Sequence, residues 1–307
     1  MRWVHDALNA NVEKTMRSIS LITSGMPTSV GPLSVAQPLP VAALRYADPF
    51  ILLHHAGPQY IEPTPNPHKI EAHPHRGFEP VTFVYQGNVL HRDSLGNEGY
   101  IGAGEVQWIT SGSGIIHEEG PTLDLARTGG NLELIQLWIN LPADKKMMTP
   151  AYQELHKDQL SELSVLGGHG KLSIVAGELQ GIGGPATTQS PITAAMGWLT
   201  TGAKGELPLP TMQTVLMYVL GGDVTVGGHR ITGGQLALFN DQTSNAQTAD
   251  TAGEGVPIEV HEEARILLLG GMPLNEPIVS YGPFVMNTED EIRDAFRDYA
   301  GGKFGSL

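Results

Sequence analysis

Two short stretches carry metal-binding side chains at a spacing with structural meaning: His73-Pro74-His75 and His117-Glu118-Glu119. Along a β-strand, residues two apart point to the same face. His73 and His75 therefore share a face, as do His117 and Glu119, while Glu118 points away. Two such strands side by side would form a cup of three imidazoles and one carboxylate. That donor set suits zinc, iron, copper or nickel. Singly, each stretch is weak: His-Pro-His also fits a polar turn, and His-Glu-Glu a solvated edge. It is their joint occurrence, with glycine-rich turns between them, that predicts a site. Glu79 stands four residues beyond His75, so strand alternation aims it inward as well. It is either a ligand in place of Glu119 or an acceptor that orients an imidazole from behind.

For these pairs to meet, the fold must lay distant strands next to each other. The chain of 307 residues fits two domains and has ample length to bury a core. It holds 38 glycines and 22 prolines, and its turn residues separate short β-rich segments throughout. Strands are expected at 81–85, 106–110 and 132–141, with tight turns at 95–97 and 102–104. One helix is expected near the C-terminus. Thr288-Glu289-Asp290-Glu291 has the capping-box form, Ile292, Ala295, Phe296 and Tyr299 follow at helical spacing, and Gly301-Gly302 stops the run. Trp108, Trp138 and Trp198 are expected in the core, with Phe50, Phe78 and Trp108 as candidate pocket walls.

The second half echoes the first. Val84-Tyr-Gln-Gly-Asn-Val89 resembles Val219-Leu-Gly-Gly-Asp-Val224, and Gly102-Ala-Gly-Glu-Val106 resembles Thr232-Gly-Gly-Gln-Leu236. An internal duplication is the economical reading. Carried along the chain, the echo sets Pro208 and Pro210 opposite His73 and His75, and Gln247 and Ala249 opposite His117 and Glu119. The second copy is thus expected to have lost the metal. His229 and His261 are read as ordinary surface or core residues. The expected division is a metal-binding domain at 17–149, a linker at 150–156 around Pro150, and a second domain at 157–307 that ends in the short helix.

Composition narrows the function classes. Without cysteine, disulfides and thiolate metal sites are excluded. The net charge of −14, from 18 basic and 32 acidic side chains, argues against direct binding to nucleic acid. No apolar run approaches a membrane span, and residues 1–24 lack the clean apolar stretch of a signal peptide. A cytoplasmic protein is expected.

At the paired histidines a family resemblance becomes specific. Glu71-Ala-His-Pro-His-Arg-Gly-Phe-Glu79 resembles the first cupin motif of pirins. Asp48-Pro49-Phe50, Asp93-Ser-Leu-Gly-Asn97 and Gln107-Trp-Ile-Thr-Ser-Gly-Ser-Gly-Ile-Ile-His-Glu-Glu119 match the pirin pattern. So do Leu137-Trp-Ile-Asn-Leu-Pro142 and Gly282-Pro-Phe-Val-Met-Asn-Thr288. The resemblance implies an all-β fold of two tandem cupin barrels (double-stranded β-helix, or jelly-roll, barrels). It implies one divalent metal in the first barrel, held by His73, His75, His117 and Glu119. That metal would be Fe(II), with zinc, copper, nickel or manganese as substitutes in purified protein. Glu79 is then placed behind the ligands.

Two activities follow from the resemblance. One is a dioxygenase of the quercetin 2,3-dioxygenase type. There Glu119 accepts the proton of a flavonol hydroxyl, and the ring opens with O2 and loss of carbon monoxide. The alternative is a non-enzymatic, metal- and redox-responsive regulator acting through a protein partner. The chain departs from the family where acidic residues usually follow Asp48-Pro49-Phe50: here it reads Leu53-His54-His55. The loop at 57–70 is also longer, proline-rich and contains His68.

Overall fold

The computed structural model describes residues 17–65, 67, 69–240 and 255–307. Two β-barrels of the cupin type pack side by side. The first is a sandwich of two antiparallel sheets. Its seven-stranded sheet runs in the spatial order Ala151–Leu155, Val106–Thr110, Phe78–Gln86, Gly130–Asn140, Phe50–Ile61, Leu33–Leu39 and Met26–Val30. Its four-stranded sheet runs Ile70–His75, Ile115–Pro121, Asn88–Asp93 and Glu98–Gly102. The second barrel is built around the long pair Thr214–Val226 and Gly255–Gly271.

The strand Phe78–Gln86 shows why its sequence is apolar almost throughout. One face lines the first barrel and the other packs on the second barrel, so both are buried. Val81, Phe83 and Tyr85 lie in one cluster with Met196, Leu216 and Leu267 from the second half of the chain. This shared core joins the two barrels.

The duplication expected from the sequence is visible in the backbone. Gly104 and Gly234 turn at φ 85° and 87°. Each donates its N–H over 2.8 Å to the carbonyl at the matching position, Val84 and Val219 respectively. A positive φ of this kind is easy only for glycine, so the turn is written in the sequence.

The pairings cross the expected domain boundaries in three places. Residues 151–155, expected in the linker, form a strand paired with Val106–Thr110 of the first barrel. Pro150 precedes this edge strand rather than interrupting it, so it costs no ladder hydrogen bond. At the other end, Ile19–Ser24 crosses to the second barrel and pairs with Gln235–Phe239. The C-terminal segment returns to the first barrel, where Phe284 bridges to Arg76. Strand patterns are local, whereas the choice of partner is made across the whole chain.

The C-terminal helix spans Glu289–Ala300 with both capping-box hydrogen bonds in place. Ile292 and Ala295 are buried, while Phe296 and Tyr299 lie at the rim. Arg76 ties this helix to the barrel through Asp298 at 3.0 Å. Beneath it, the buried Lys146 ammonium donates to the carbonyls of Gly77 (2.7 Å) and Val285 (3.0 Å) and to Asn140 Oδ1 (2.6 Å). Burial lowers the Lys146 pKa to about 8. Replacing Lys146 with Met removes the donor and strands three buried acceptors. The expected loss is about 3 kcal/mol of stability in denaturant unfolding. An unchanged midpoint would show that the C-terminal segment holds without it.

Candidate metal centre

The strand Ile70–His75 pairs antiparallel with Ile115–Pro121, with His117 opposite His73 and Ile115 opposite His75. Residues directly opposite share a face, so all three imidazoles point into the barrel. Their ring centroids are 4.3 Å apart for His73–His117, 4.7 Å for His73–His75 and 4.9 Å for His75–His117. One ring nitrogen from each lies within 4.8 Å of the others.

Tautomers follow from the carbonyls behind the rings. His73 donates Nδ1–H to the Glu71 carbonyl at 2.8 Å, and His75 donates Nδ1–H to the Pro283 carbonyl at 3.3 Å. Each then keeps its lone pair on Nε2, as a metal ligand requires. His75 Nε2 and both nitrogens of His117 are buried with no hydrogen-bond partner. Leaving a buried polar atom unmade costs about 1–3 kcal/mol. A cation would take His75 Nε2 and one nitrogen of His117, alongside Nε2 of His73, so the donor set fits a divalent transition metal.

Glu119 is buried on the same face as His117, and both its oxygens are held. Gln107 donates to Oε2 and Gln136 to Oε1, each over 2.7 Å. A ladder shift between His117 and Glu119 offsets it from the His73 strand, where it falls opposite Ile70. Its carboxylate groups with His117 and His91 rather than with His73 and His75. Glu118 points outward, as alternation requires, and pairs with Lys69 at 2.5 Å.

His91 was not singled out from the sequence. It stands opposite Glu119 on the strand Asn88–Asp93, fully buried. Its Nε2 meets Asp93 at 3.2 Å, and its ring stacks on Tyr152 at 4.6 Å. The available signal was His91-Arg92-Asp93, a same-face spacing like that of the other pairs, one strand over.

Glu79 does not stand behind the ligands. The chain bends at Arg76-Gly77, where Gly77 has φ 86° and a Cβ would lie 2.0 Å from the Val285 carbonyl. Alternation restarts there. Phe78 faces the imidazoles, 5.0 Å from the His75 ring, and Glu79 faces the opposite way. There it accepts a hydrogen bond from Thr110 at 2.7 Å. Trp138 is also corrected: rather than lying in the core, it flanks the site, 5.3 Å from His75 and 4.2 Å from Phe78.

The two unusual histidines diverge. His54 points into the first barrel and bonds Gln37 at 2.8 Å. His55 points to the second barrel and meets Tyr218 at 3.0 Å and Glu133 at 3.4 Å. Between Glu119 and the far end of the barrel, a narrow, mostly apolar cavity leaves about 30 Å³ for water-sized guests. His68, Gln247 and Ala249 lie outside the described residues. Pro208 ends a strand paired with the long Gly255–Gly271 strand, and Pro210 packs on Gly270.

Burial, with neighbouring imidazoles, pulls His75 and His117 well below 6.5, against a smaller upward pull on His75 from the Pro283 carbonyl. Burial lowers His54 to about 4. These rings are neutral in the fold and take up protons when it unfolds below pH 6.5. Their stabilisation is full above that pH and is lost as pH falls. Glu79 acts in the opposite sense: burial raises it to about 7, so it releases a proton on unfolding between pH 4.5 and 7. Three rings outweigh one carboxyl. The metal-free protein is expected to lose stability from pH 6.5 to 5, by up to ~1.4 kcal/mol per pH unit for each net proton. Denaturant unfolding across this range measures the slope, and stability that holds or rises toward pH 5 would refute the neutral rings.

Comparisons with known proteins place the chain in a family. Residues 33–139 match the family model Pirin, and residues 197–305 match the Pirin C-terminal cupin domain. A Pseudomonas aeruginosa protein, provisionally named quercetin 2,3-dioxygenase PA2418, is 40% identical over 260 residues, or 85% of this chain and 87% of its own. Pirin-1 of Arabidopsis thaliana is 36% identical over 238 residues, or 76% of this chain and 77% of its own. A crystal structure of quercetin 2,3-dioxygenase from Acinetobacter baumannii superposes with a TM-score of 0.85 at 36% identity. It covers 95% of this chain and 99% of that one. With both barrels matched by family models and relatives aligned over most of its length, the chain belongs to the pirin family.

Proposed function

We propose that this chain is an iron-dependent dioxygenase that opens the ring of a flavonol such as quercetin with O2. One observation carries the reading: three imidazoles converge on a point where buried ring nitrogens have no other partner. His73, His75, His117 and Glu119 would hold the metal. When bound, iron supplies the redox chemistry that lets an electron-rich flavonol react with O2. The names of the Pseudomonas and Acinetobacter relatives point the same way.

The chain's own residues account for the rest. Glu119 takes the proton of the flavonol hydroxyl, and the amides of Gln107 and Gln136 fix the direction of its carboxylate. Phe78 and Trp138 cover His75 and keep water from that side. A three-ring substrate is too large for the cavity beyond Glu119. It would approach past His73, the one ligand in the proposed set that is half-buried rather than buried.

The regulator reading also has an observation in its favour. The Pro283 carbonyl bonds His75, and Asp298 of the C-terminal helix bonds Arg76, so the imidazole cup is tied to a surface helix. A partner that read that helix would respond to the metal.

His75→Ala or His117→Ala is expected to remove most bound metal, measured by elemental analysis, while circular dichroism keeps its β signature. Full metal content in both variants would overturn the ligand set. Iron-loaded protein is expected to consume O2 with a flavonol, and Glu119→Gln to lower kcat by about 100-fold or more. No O2 uptake across a flavonol panel, together with metal-dependent capture of a protein partner, would move the assignment to the regulator.

A further inference from the structure

We propose that the apolar cavity beyond Glu119 is a holding site for one molecule of dioxygen. Its use in catalysis rests on the dioxygenase reading, whereas its ability to take up the gas does not. The walls are Leu33, Val35, Ala56, Val89, Leu132 and Leu134, which come from four different strands of the first barrel. Among the described residues, the polar side chains on the wall are His54, Glu119 and Gln136. Gln136 bonds Glu119, Gln107 holds the other Glu119 oxygen, and His54 bonds Gln37. Most of the wall therefore offers a guest nothing to hydrogen-bond.

Size and polarity select the guest. The cavity has about 30 Å³ for water-sized guests. That is room for the centres of small guests, so a diatomic gas fits in it. A water needs two to four polar partners, and cavities lined by Leu and Ile stay dry and take apolar guests such as xenon. Dioxygen has two heavy atoms, no dipole and no hydrogen bond to satisfy. Glu119 forms the wall between this cavity and His117, so a gas molecule held here lies one carboxylate from the imidazoles. Val30 and Ile70, half-buried, line the cavity as well and give it an outer end. A gas can thus enter by a route that a flavonol arriving past His73 does not block.

The test uses zinc-loaded protein, which is diamagnetic, with methyl NMR under several bar of dioxygen. The methyls of Ala56, Val89 and Leu132 are expected to broaden several-fold more than the equally buried Ala237 and Val260 of the second barrel. Uniform broadening overturns the site. In iron-loaded protein, Ala56→Leu or the milder Val35→Leu fills the cavity. Either variant is expected to raise KM for dioxygen about five-fold while flavonol KM and metal content stay the same. An unchanged KM for dioxygen in correctly folded variants overturns the holding role. Selective broadening in a protein inert toward every flavonol would sink the dioxygenase reading and leave the gas site standing.

Discussion

His117 sits directly opposite His73 across an antiparallel strand pair, and the site depends on that register. The side-chain period of a strand is two, so a slip of Ile115–Pro121 by one residue would turn His117 and Glu119 away from His73 and His75 and take the cup apart. The apolar residues around them oppose such a slip. Ile115 would leave the core, and Ile116 would lose its place against the C-terminal cluster of Phe284 and Phe304. Burial of ordinary hydrophobic side chains thus holds the register, and the register gathers the polar atoms. The cost falls on the ring nitrogens, which stay buried and unpaired until a cation takes them.

The second barrel and the chain ends reinforce this arrangement from behind. The Pro283 carbonyl fixes the tautomer of His75, though it lies at the far end of the sequence. Lys146 and Arg76 pin the C-terminal segment from beneath and from the side. Tyr152 comes from beyond the first barrel's expected boundary to stack on His91. The metal-binding half is therefore completed by residues it does not contain, which is a physical reason for the two barrels to share one core.

What could be read from the sequence was whatever depends on near neighbours. The His-Pro-His and His-Glu-Glu spacing, the glycine turns, the repeat and the capped helix all rest on dihedral angles or strand alternation within a few residues. Glu79 failed because alternation was counted through Gly77, where the chain turns and the count restarts. His91 was missed because its partners sit across a strand pair that spacing alone does not reveal. The segment 151–155 looked like a linker because an edge strand needs only one partner, and that partner is remote in sequence. Trp138 read as core because nothing local distinguishes a ring beside other rings from a ring beside imidazoles.

Glu119 shows how finely the site is balanced. Its two oxygens already accept from Gln107 and Gln136, and its offset along the ladder keeps it nearer His91 than His73. Each oxygen keeps a second lone pair, so a cation shared with the three imidazoles competes with the amides for the direction of the carboxylate. A hydrogen bond to a charged group is worth about 1.5–3 kcal/mol. The attraction between a carboxylate and a dication at contact in a buried site exceeds that several-fold. The glutamines therefore cannot keep Glu119 from a metal, but they set where it returns when the metal leaves. That resting place is the wall of the apolar cavity, so a single side chain separates the imidazoles from the space beside them.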